Sequence, residues 1–202
     1  LFEGVYMDNE IYLNGEKIFT WPYGYSQFEI DLTSYVKEGE NTIWVKNTYE
    51  LPNSRWYPGS GIYRNVWLVR RPAVHFTTDG GYLSAKKEGD AFILHADYEI
   101  QNDTDSACEV TLCHTVLAPD GKVAGTSKET LTIPCGLTVN KQTMTFEAPL
   151  LWDIESPNLY PVHSEIIKDE TAIDSSDERF GFRTIAFDPD KGFFLNGRNV
   201  KI

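Results

Sequence analysis

Apolar and polar residues alternate along most of the chain, in short runs separated by turn-forming residues. The clearest run covers residues 92–100, in which every second residue from Phe92 to Ile100 is apolar. A period of two places these side chains on one face of a β-strand, whereas a helix would repeat them about every 3.6 residues. The pattern therefore predicts an all-β protein.

Two Asn-Gly pairs mark the sharpest predicted turns. Asn14-Gly15 lies between two short apolar runs near the start of the chain, and Asn196-Gly197 lies in the same setting near its end. Both residues of a two-residue hairpin turn of this type need positive φ, which asparagine and glycine adopt most readily. Each pair therefore predicts a tight β-hairpin.

Two further elements are expected after the first hairpin, within residues 28–39. The alternation of Phe28, Ile30 and Leu32 with polar residues predicts a strand. Thr33 is suited to cap a short helical turn that follows, and Gly39 is suited to end it.

Strand count and turn positions divide the chain into three regions. Residues 1–72 contain about five predicted strands, fewer than the roughly eight of a complete jelly roll. Pro72 closes this region because proline has no N–H to donate to a β-ladder. Residues 73–183 contain about seven predicted strands, which is typical of an immunoglobulin-like β-sandwich. Residues 184–202 form a short remainder that contains the second hairpin.

The composition limits the classes of partner. The formal net charge of -12 repels a phosphate backbone and an anionic membrane surface, so we expect neither nucleic acid nor membrane as a partner. A neutral sugar is indifferent to this charge. The chain also carries 5 Trp, 11 Tyr and 11 Phe, residues that stack on sugar rings but are also common in β-sheet cores.

Clusters of acidic residues and cysteines indicate no reactive centre. The 3 cysteines are too few for a disulfide framework, and neither they nor the 4 histidines have zinc-like spacing. Asp103 and Asp105 lack the spacing of a calcium loop. Asp174, Asp177 and Glu178 lie in a Ser-rich segment that is interpreted as a turn with a solvated face. We expect no metal, no cofactor and no catalytic residue in this chain.

Six segments in order resemble glycoside hydrolase family 2 of the β-galactosidase type, and the likeness covers essentially the whole chain. The most specific is residues 54–68, which contains Gly61-Ile62-Tyr63-Arg64 and resembles the end of the family's sugar-binding jelly roll. The other segments are Ile11 to Gly15; Asp31-Leu32-Thr33 with Gly39-Glu40-Asn41; Leu151-Trp152 with Ser156 to Tyr160; Phe180-Gly181-Phe182-Arg183; and Phe193 to Ile202.

The resemblance implies a division of labour along the chain. Residues 1–72 would be the C-terminal part of a galactose-binding-like jelly roll, and residues 73–183 the immunoglobulin-like sandwich. Residues 184–202 would be a stub that leads into a catalytic barrel absent from this chain. The resemblance therefore implies an accessory, non-catalytic portion of a retaining glycoside hydrolase acting on β-linked sugars, inactive by itself.

Three adjacent side chains are the candidate sugar contacts. Pro58 and Gly59 restrict the backbone next to Arg55, Trp56 and Tyr57, so the two aromatic rings and the guanidinium could face a sugar. The alternative is that the rings close the edge of the jelly roll. In the family an acidic residue near this segment helps to form the sugar pocket, and this chain carries Arg55 or Ser54 there instead.

The family's two catalytic glutamates, which would stand about 5 Å apart, belong to the barrel. The family's acid/base lies in an Asn-Glu pair, and Asn9-Glu10 is such a pair here. It lacks the family's flanking residues and is interpreted as a coincidence.

Two other functions remain open from the sequence: a stand-alone carbohydrate-binding module, and a structural immunoglobulin-like module. An incomplete jelly roll would also expose strand edges, so association into a homo-oligomer through those edges is expected. The resemblance fits bacterial proteins of the cytoplasm or the periplasm and does not choose between the two.

Overall fold

The computed structural model describes residues 1–50 and 59–201. The chain forms two compact units, Leu1–Arg70 and Arg71–Ile202. Strands and turns make up both units, and no helix occurs in the described residues. The predicted limits of the regions, at residues 72 and 183, stay a prediction.

The first unit contains short antiparallel strands. They are β1 (Val5–Tyr6), β2 (Asn9–Leu13), β3 (Glu16–Trp21), β4 (Ile43–Asn47) and β5 (Gly61–Ile62). One sheet has the order β3-β2-β4, and β1 pairs with β5. Phe2 extends this framework through single bridges to Phe28 and Val66.

The first Asn-Gly turn has the predicted geometry. Asn14 has φ 52° and Gly15 has φ 88°, so both turn residues lie in the left-handed region. The turn joins β2 to β3, in which Leu13 is paired with Glu16. This local hairpin is confirmed.

Other predictions for this unit need correction. The predicted strand at residues 28–32 is reduced to the bridge at Phe28. The sequence also predicts a strand from Ile62 to Arg70, but the strand in the structure is β5 and ends at Ile62. A single helical turn does form, with the N–H of Val36 donating to the carbonyl of Leu32 at 3.0 Å. Its capping oxygen belongs to Asp31, which accepts from the N–H of Thr33 at 2.8 Å. Aspartate competes well for this position because its oxygen accepts a backbone N–H two residues ahead.

The core of the first unit is small and aromatic. Phe2, Val5, Ile11 and Phe28 are buried together, and Phe19 packs against them. The rings of Phe2 and Phe28 stack with centroids 4.9 Å apart. Alternate residues of β2 supply the central contacts, because Ile11 is fully buried.

The second unit contains a sandwich of two antiparallel sheets. Its strands are β6 (Val74–Glu88), β7 (Ala91–Asn102), β8 (Cys108–Leu117), β9 (Val123–Ile133), β10 (Gly136–Glu147), β11 (Tyr160–Lys168) and β12 (Thr171–Phe180). One sheet has the order β10-β7-β6 and the other β12-β11-β8-β9. The predicted number of strands in this region is confirmed, although β6 is much longer than expected.

The alternation seen at residues 92–100 corresponds to β7, whose even-numbered residues from Phe92 to Ile100 are buried. These residues face a core in which Phe182 is fully buried. The ring of Phe182 lies 4.9 Å from the rings of both Phe146 and Tyr160. Phe182 follows β12 and therefore fills the core from outside the sheets.

The last part of the second unit is a three-stranded meander. Its strands are β13 (Ile185–Asp188), β14 (Gly192–Leu195) and β15 (Arg198–Val200). Asn196 and Gly197 join the last two with φ of 52° and 78°, which confirms the second predicted hairpin. The side chain of Asn196 donates to the carbonyl of Trp152 at 3.0 Å and so ties the hairpin to the sandwich.

The chain is therefore all-β, with a partial jelly roll followed by an immunoglobulin-like sandwich. Within the described residues, no helical stretch has the length and apolar character that crossing a membrane requires.

We expect Phe182→Ala to lower the free energy of unfolding of the second unit by about 3–5 kcal/mol, because it leaves a cavity among packed rings. Phe187→Ala is the matched control, since Phe187 is 78% exposed and the same truncation there should cost under about 1 kcal/mol. Urea unfolding of both variants measures the difference. Equal losses would contradict this assignment of the core.

Candidate functional site

The candidate sugar contacts Arg55, Trp56 and Tyr57 lie outside the described residues. The chain on either side of them is described. Tyr49 precedes the segment, and Gly61 follows it as part of β5.

Both of these flanks contact the same residue, Tyr6 of β1. Gly61 is the ladder partner of Tyr6. The rings of Tyr49 and Tyr6 have centroids 6.4 Å apart. The described chain on the two sides of residues 51–58 thus contacts Tyr6, through Tyr49 on one side and Gly61 on the other.

Four tyrosines form a cluster at this place, and Tyr6, Tyr23, Tyr25 and Tyr49 are hereafter called the tyrosine cluster. The ring of Tyr25 meets Tyr6 edge-on at 5.2 Å, and Tyr23 meets Tyr25 edge-on at 5.9 Å. Tyr6 is 7% exposed, whereas Tyr23 and Tyr25 are 59% and 65% exposed. The buried ring of Tyr6 therefore supports the exposed ring of Tyr25, which in turn contacts the exposed ring of Tyr23.

The backbone beneath the cluster has no space for side chains. A Cβ at Gly24 would overlap the ring of Tyr6, and a Cβ at Gly4 would lie 2.7 Å from the ring of Tyr63. The hydroxyl of Tyr63 donates to the carbonyl of Gly24 at 2.7 Å. Tyr63 belongs to the Gly-Ile-Tyr-Arg segment, so that segment holds the loop that carries Tyr23 and Tyr25.

This arrangement suits recognition of a sugar. Tyrosine offers a flat apolar face and a hydroxyl that both donates and accepts, while it loses little conformational entropy on binding. Support by edge-to-face packing keeps the exposed rings in place. The cluster was not predicted from the sequence, although the run Tyr23-Gly24-Tyr25 after Pro22 was a local signal of an aromatic loop.

The Asn9-Glu10 pair is not an acid/base site. Glu10 lies between two lysines, with its carboxylate 2.7 Å from the Nζ of Lys46 and 3.0 Å from that of Lys17. Hydrogen bonds from Lys46 and then Lys17 lower the pKa of Glu10 to about 2. Asn9 is fully buried.

A buried polar network crosses the core of the sandwich. The hydroxyl of Tyr98 donates to the carboxylate of Glu178 at 2.6 Å, and a hydrogen bond from Ser164 reaches the oxygen of Tyr98. The Nδ1 of His114 lies 2.8 Å from the hydroxyl of Ser164. Donation in one direction, from His114 through Ser164 and Tyr98 to Glu178, satisfies each of these contacts.

Burial controls the ionisation of this network. It lowers the pKa of His114 to about 4, and burial together with the bond to Glu178 raises the pKa of Tyr98. The Nε2 of His114 is buried without a hydrogen-bond partner, which suits a neutral ring whose proton is on Nδ1. Because His114 and Ser164 are fully buried, we assign the network to the core and not to catalysis.

The acidic residues of β12 differ from the sequence interpretation, since they lie in a strand and not in a turn. Asp174 accepts from the N–H of Phe76 at 2.8 Å, and Glu178 accepts from Tyr98. Asp177 is exposed and pairs with His163 at 2.7 Å. In the part of the chain that the structure describes, no group of three or more His, Cys, Asp or Glu side chains could hold a metal ion.

The chain matches two family models. The model described as "Glycosyl hydrolases family 2, sugar binding domain" matches residues 1–72. The model described as "Glycosyl hydrolases family 2" matches residues 82–183. The chain belongs to glycosyl hydrolases family 2.

Named relatives in family 2 are enzymes much longer than this chain. The chain is 36% identical over 205 residues to "Beta-galactosidase BoGH2A" of Bacteroides ovatus, covering 100% of the chain and 24% of that protein. It is 35% identical over 206 residues to a "Putative beta-glucuronidase" of Formosa agariphila, covering 100% of the chain and 19% of that protein.

Solved structures agree with this assignment. A glycosyl hydrolase family 2 member from Bacteroides cellulosilyticus superimposes with a TM-score of 0.94 and 32% identity, over 99% of this chain and 26% of that one. The chain thus spans about a quarter of the length of its family 2 relatives. It corresponds to an accessory portion of a glycoside hydrolase.

The pKa of His114 predicts how the stability of the sandwich depends on pH. His114 is neutral when folded but has its ordinary pKa of 6.5 when unfolded. Stability is therefore complete above about pH 6.5 and falls as the pH drops towards 4, by up to about 3 kcal/mol. We expect His114→Phe to flatten this dependence between pH 6.5 and 4.5, measured by urea unfolding.

His163→Gln is the control for this experiment. The hydrogen bond to Asp177 raises the pKa of His163, so its contribution has the opposite sign and appears as the pH falls. Removal of the His163 imidazole should therefore make the loss of stability with falling pH steeper. If the free energy of unfolding of His114→Phe fell with pH as steeply as that of the unsubstituted chain, the assignment of His114 as a neutral buried ring would be wrong.

Proposed function

We propose that this chain is the non-catalytic, sugar-contacting part of a retaining glycoside hydrolase that acts on β-linked sugars. In this proposal the tyrosine cluster, together with Arg55, Trp56 and Tyr57, forms one wall of the sugar site. The observation that carries the proposal is that both described flanks of residues 51–58 meet at Tyr6, beside two exposed tyrosine rings.

Catalysis is assigned to a partner segment, the catalytic barrel of the complete enzyme. A retaining hydrolase needs a carboxylic acid of raised pKa beside a carboxylate about 5 Å away. The chain's Asn-Glu pair has the opposite property, because two lysines hold Glu10 ionised. The names of the relatives, β-galactosidase and β-glucuronidase, support a β-linked hexose or hexuronic acid as the substrate.

The division of labour is tested by turnover of a chromogenic β-galactoside and a chromogenic β-glucuronide. The 202-residue chain alone should hydrolyse neither. In the complete enzyme we expect Tyr25→Ala to raise KM about five-fold, as the loss of one supported ring contact predicts. Arg55→Ala and Trp56→Ala should act in the same direction.

Tyr82→Ala is the matched control, because Tyr82 on β6 is 69% exposed, much like Tyr25. It should leave KM unchanged. Hydrolysis by the purified chain would overturn the assignment of catalysis to the barrel, and an unchanged KM in Tyr25→Ala would overturn the proposed sugar wall.

We also propose that the isolated chain associates through an exposed strip in its first unit. Val66, Trp67, Leu68 and Val69 are consecutive and 46–88% exposed, with Leu68 the most exposed. Four adjacent apolar residues in contact with water favour pairing with a second copy.

Light scattering of the chain should therefore show a mass that rises with concentration, and Leu68→Glu should reduce this rise. Leu137→Glu, at a residue 57% exposed on β10, supplies the same charge elsewhere and should not. A monomer at all concentrations would contradict association.

A further inference from the structure

The side chain of Asn9 is a buried connector between three strands. Its Nδ2 donates to the carbonyl of Val5 at 3.0 Å and to the carbonyl of Trp21 at 3.0 Å. Its Oδ1 accepts a hydrogen bond from the Nδ2 of Asn47. Both amide hydrogens and the amide oxygen are thus used, and the side chain has no contact with solvent.

Each of the three partners stands next to a member of the tyrosine cluster. Tyr6 follows Val5, Tyr23 lies two residues after Trp21, and Tyr49 lies two residues after Asn47. The amide of Asn9 therefore reaches β1, which carries Tyr6, and the last residues of β3 and β4, which precede Tyr23 and Tyr49.

Two backbone hydrogen bonds also join these chain segments, next to the bonds made by the side-chain amide of Asn9. The N–H of Asp8 donates to the carbonyl of Pro22, and the N–H of Thr48 donates to the carbonyl of Met7, both at 3.2 Å. Beyond these bonds the regular ladders end. The positions of the rings then depend on how firmly the strand ends are joined.

We infer that Asn9 is a positioning residue that holds Tyr6, Tyr23 and Tyr49 in one cluster. A buried polar group that loses its partners leaves others unsatisfied, so removal of this amide frees two carbonyls and one amide group at once. No apolar residue can replace these three directed bonds. The consequence for sugar binding rests on the proposed function, whereas the consequence for the rings does not.

The second unit provides a matched control in Asn102, which is also buried. Its Nδ2 donates to the carbonyls of Ser106 at 3.0 Å and Ile133 at 3.1 Å, and its Oδ1 accepts from the N–H and hydroxyl of Thr104. Asn102→Ala thus removes a similar set of bonds from the second unit, whereas the tyrosine cluster belongs to the first.

The test uses ¹⁹F NMR of the chain labelled with 3-fluorotyrosine, with resonances assigned by single Tyr→Phe changes. Asn9→Ala should shift or broaden the resonances of Tyr6, Tyr23 and Tyr49 and leave that of Tyr160 unchanged. Asn102→Ala should leave the first three unchanged. If Asn9→Ala does not fold, Asn47→Ala removes only one of the three bonds and should perturb Tyr49 more than Tyr23.

Kinetics in the complete enzyme separate positioning from plain stability. Asn9→Ala should raise KM for the chromogenic β-galactoside about five-fold with kcat within about two-fold, while Asn102→Ala lowers the melting temperature without raising KM. Unchanged ring resonances in folded Asn9→Ala or Asn47→Ala would overturn the inference. Perturbed resonances with an unchanged KM would support positioning by Asn9 and overturn the sugar wall instead.

Discussion

The strands β7, β8, β10 and β11 each bury one face, and that constraint determines the register of the sandwich. On β7 the side chains from Phe92 to Ile100 alternate between the core and the outer surface without interruption. A shift of one residue in the pairing would exchange the two faces. The paired registers of β6, β7 and β10 are therefore strongly selected, and the loops between strands leave the sheets at defined points. The same constraint acts on the shorter β2, where Ile11 and Leu13 face inward.

Polar groups inside the protein reinforce these registers. Asn9 in the first unit and Asn102 in the second each satisfy carbonyls that the ladders leave free. The network from His114 to Glu178 joins β7, β8, β11 and β12 across the sandwich. Such groups lose stability when they are incompletely paired, so each favours one arrangement of its strands over slipped alternatives. Gly81 belongs to this arrangement, because a Cβ there would lie 2.6 Å from the carboxylate of Glu178.

The parts of the fold that the sequence predicted are those with a local cause. Asn14-Gly15 and Asn196-Gly197 specify their turns through their own φ preferences. The alternation of apolar and polar residues over the nine residues 92–100 specifies β7. The helical turn at Val36 was also local, but two residues competed for its cap and Asp31, not Thr33, supplies the oxygen. Family resemblance supplied the order of domains, which periodicity alone does not contain.

The parts that escaped prediction depend on residues far apart in the chain. Tyr98 and Glu178 are 80 residues apart, and their contact requires the registers of two sheets together. The strand expected at residues 28–32 failed for the same reason, because Phe28 is placed by its stack on Phe2 and not by a ladder of its own. The candidate contacts Arg55, Trp56 and Tyr57 stay a prediction, to which the flanking contacts at Tyr6 add support.

The surroundings of Glu10 and Glu178 agree with the proposed non-catalytic role of this chain. Glu10 is kept ionised by Lys17 and Lys46 on the outer face of a sheet, and Glu178 accepts hydrogen bonds from Tyr98 and Ser176. Both oxygens of Glu178 are thus occupied as hydrogen-bond acceptors. The tyrosine cluster, in contrast, offers rings and hydroxyls without charge. In the proposed function, a wall built in this way would contribute shape and hydrogen bonds to a sugar, and the movement of protons would fall to carboxyl groups whose surroundings raise their pKa.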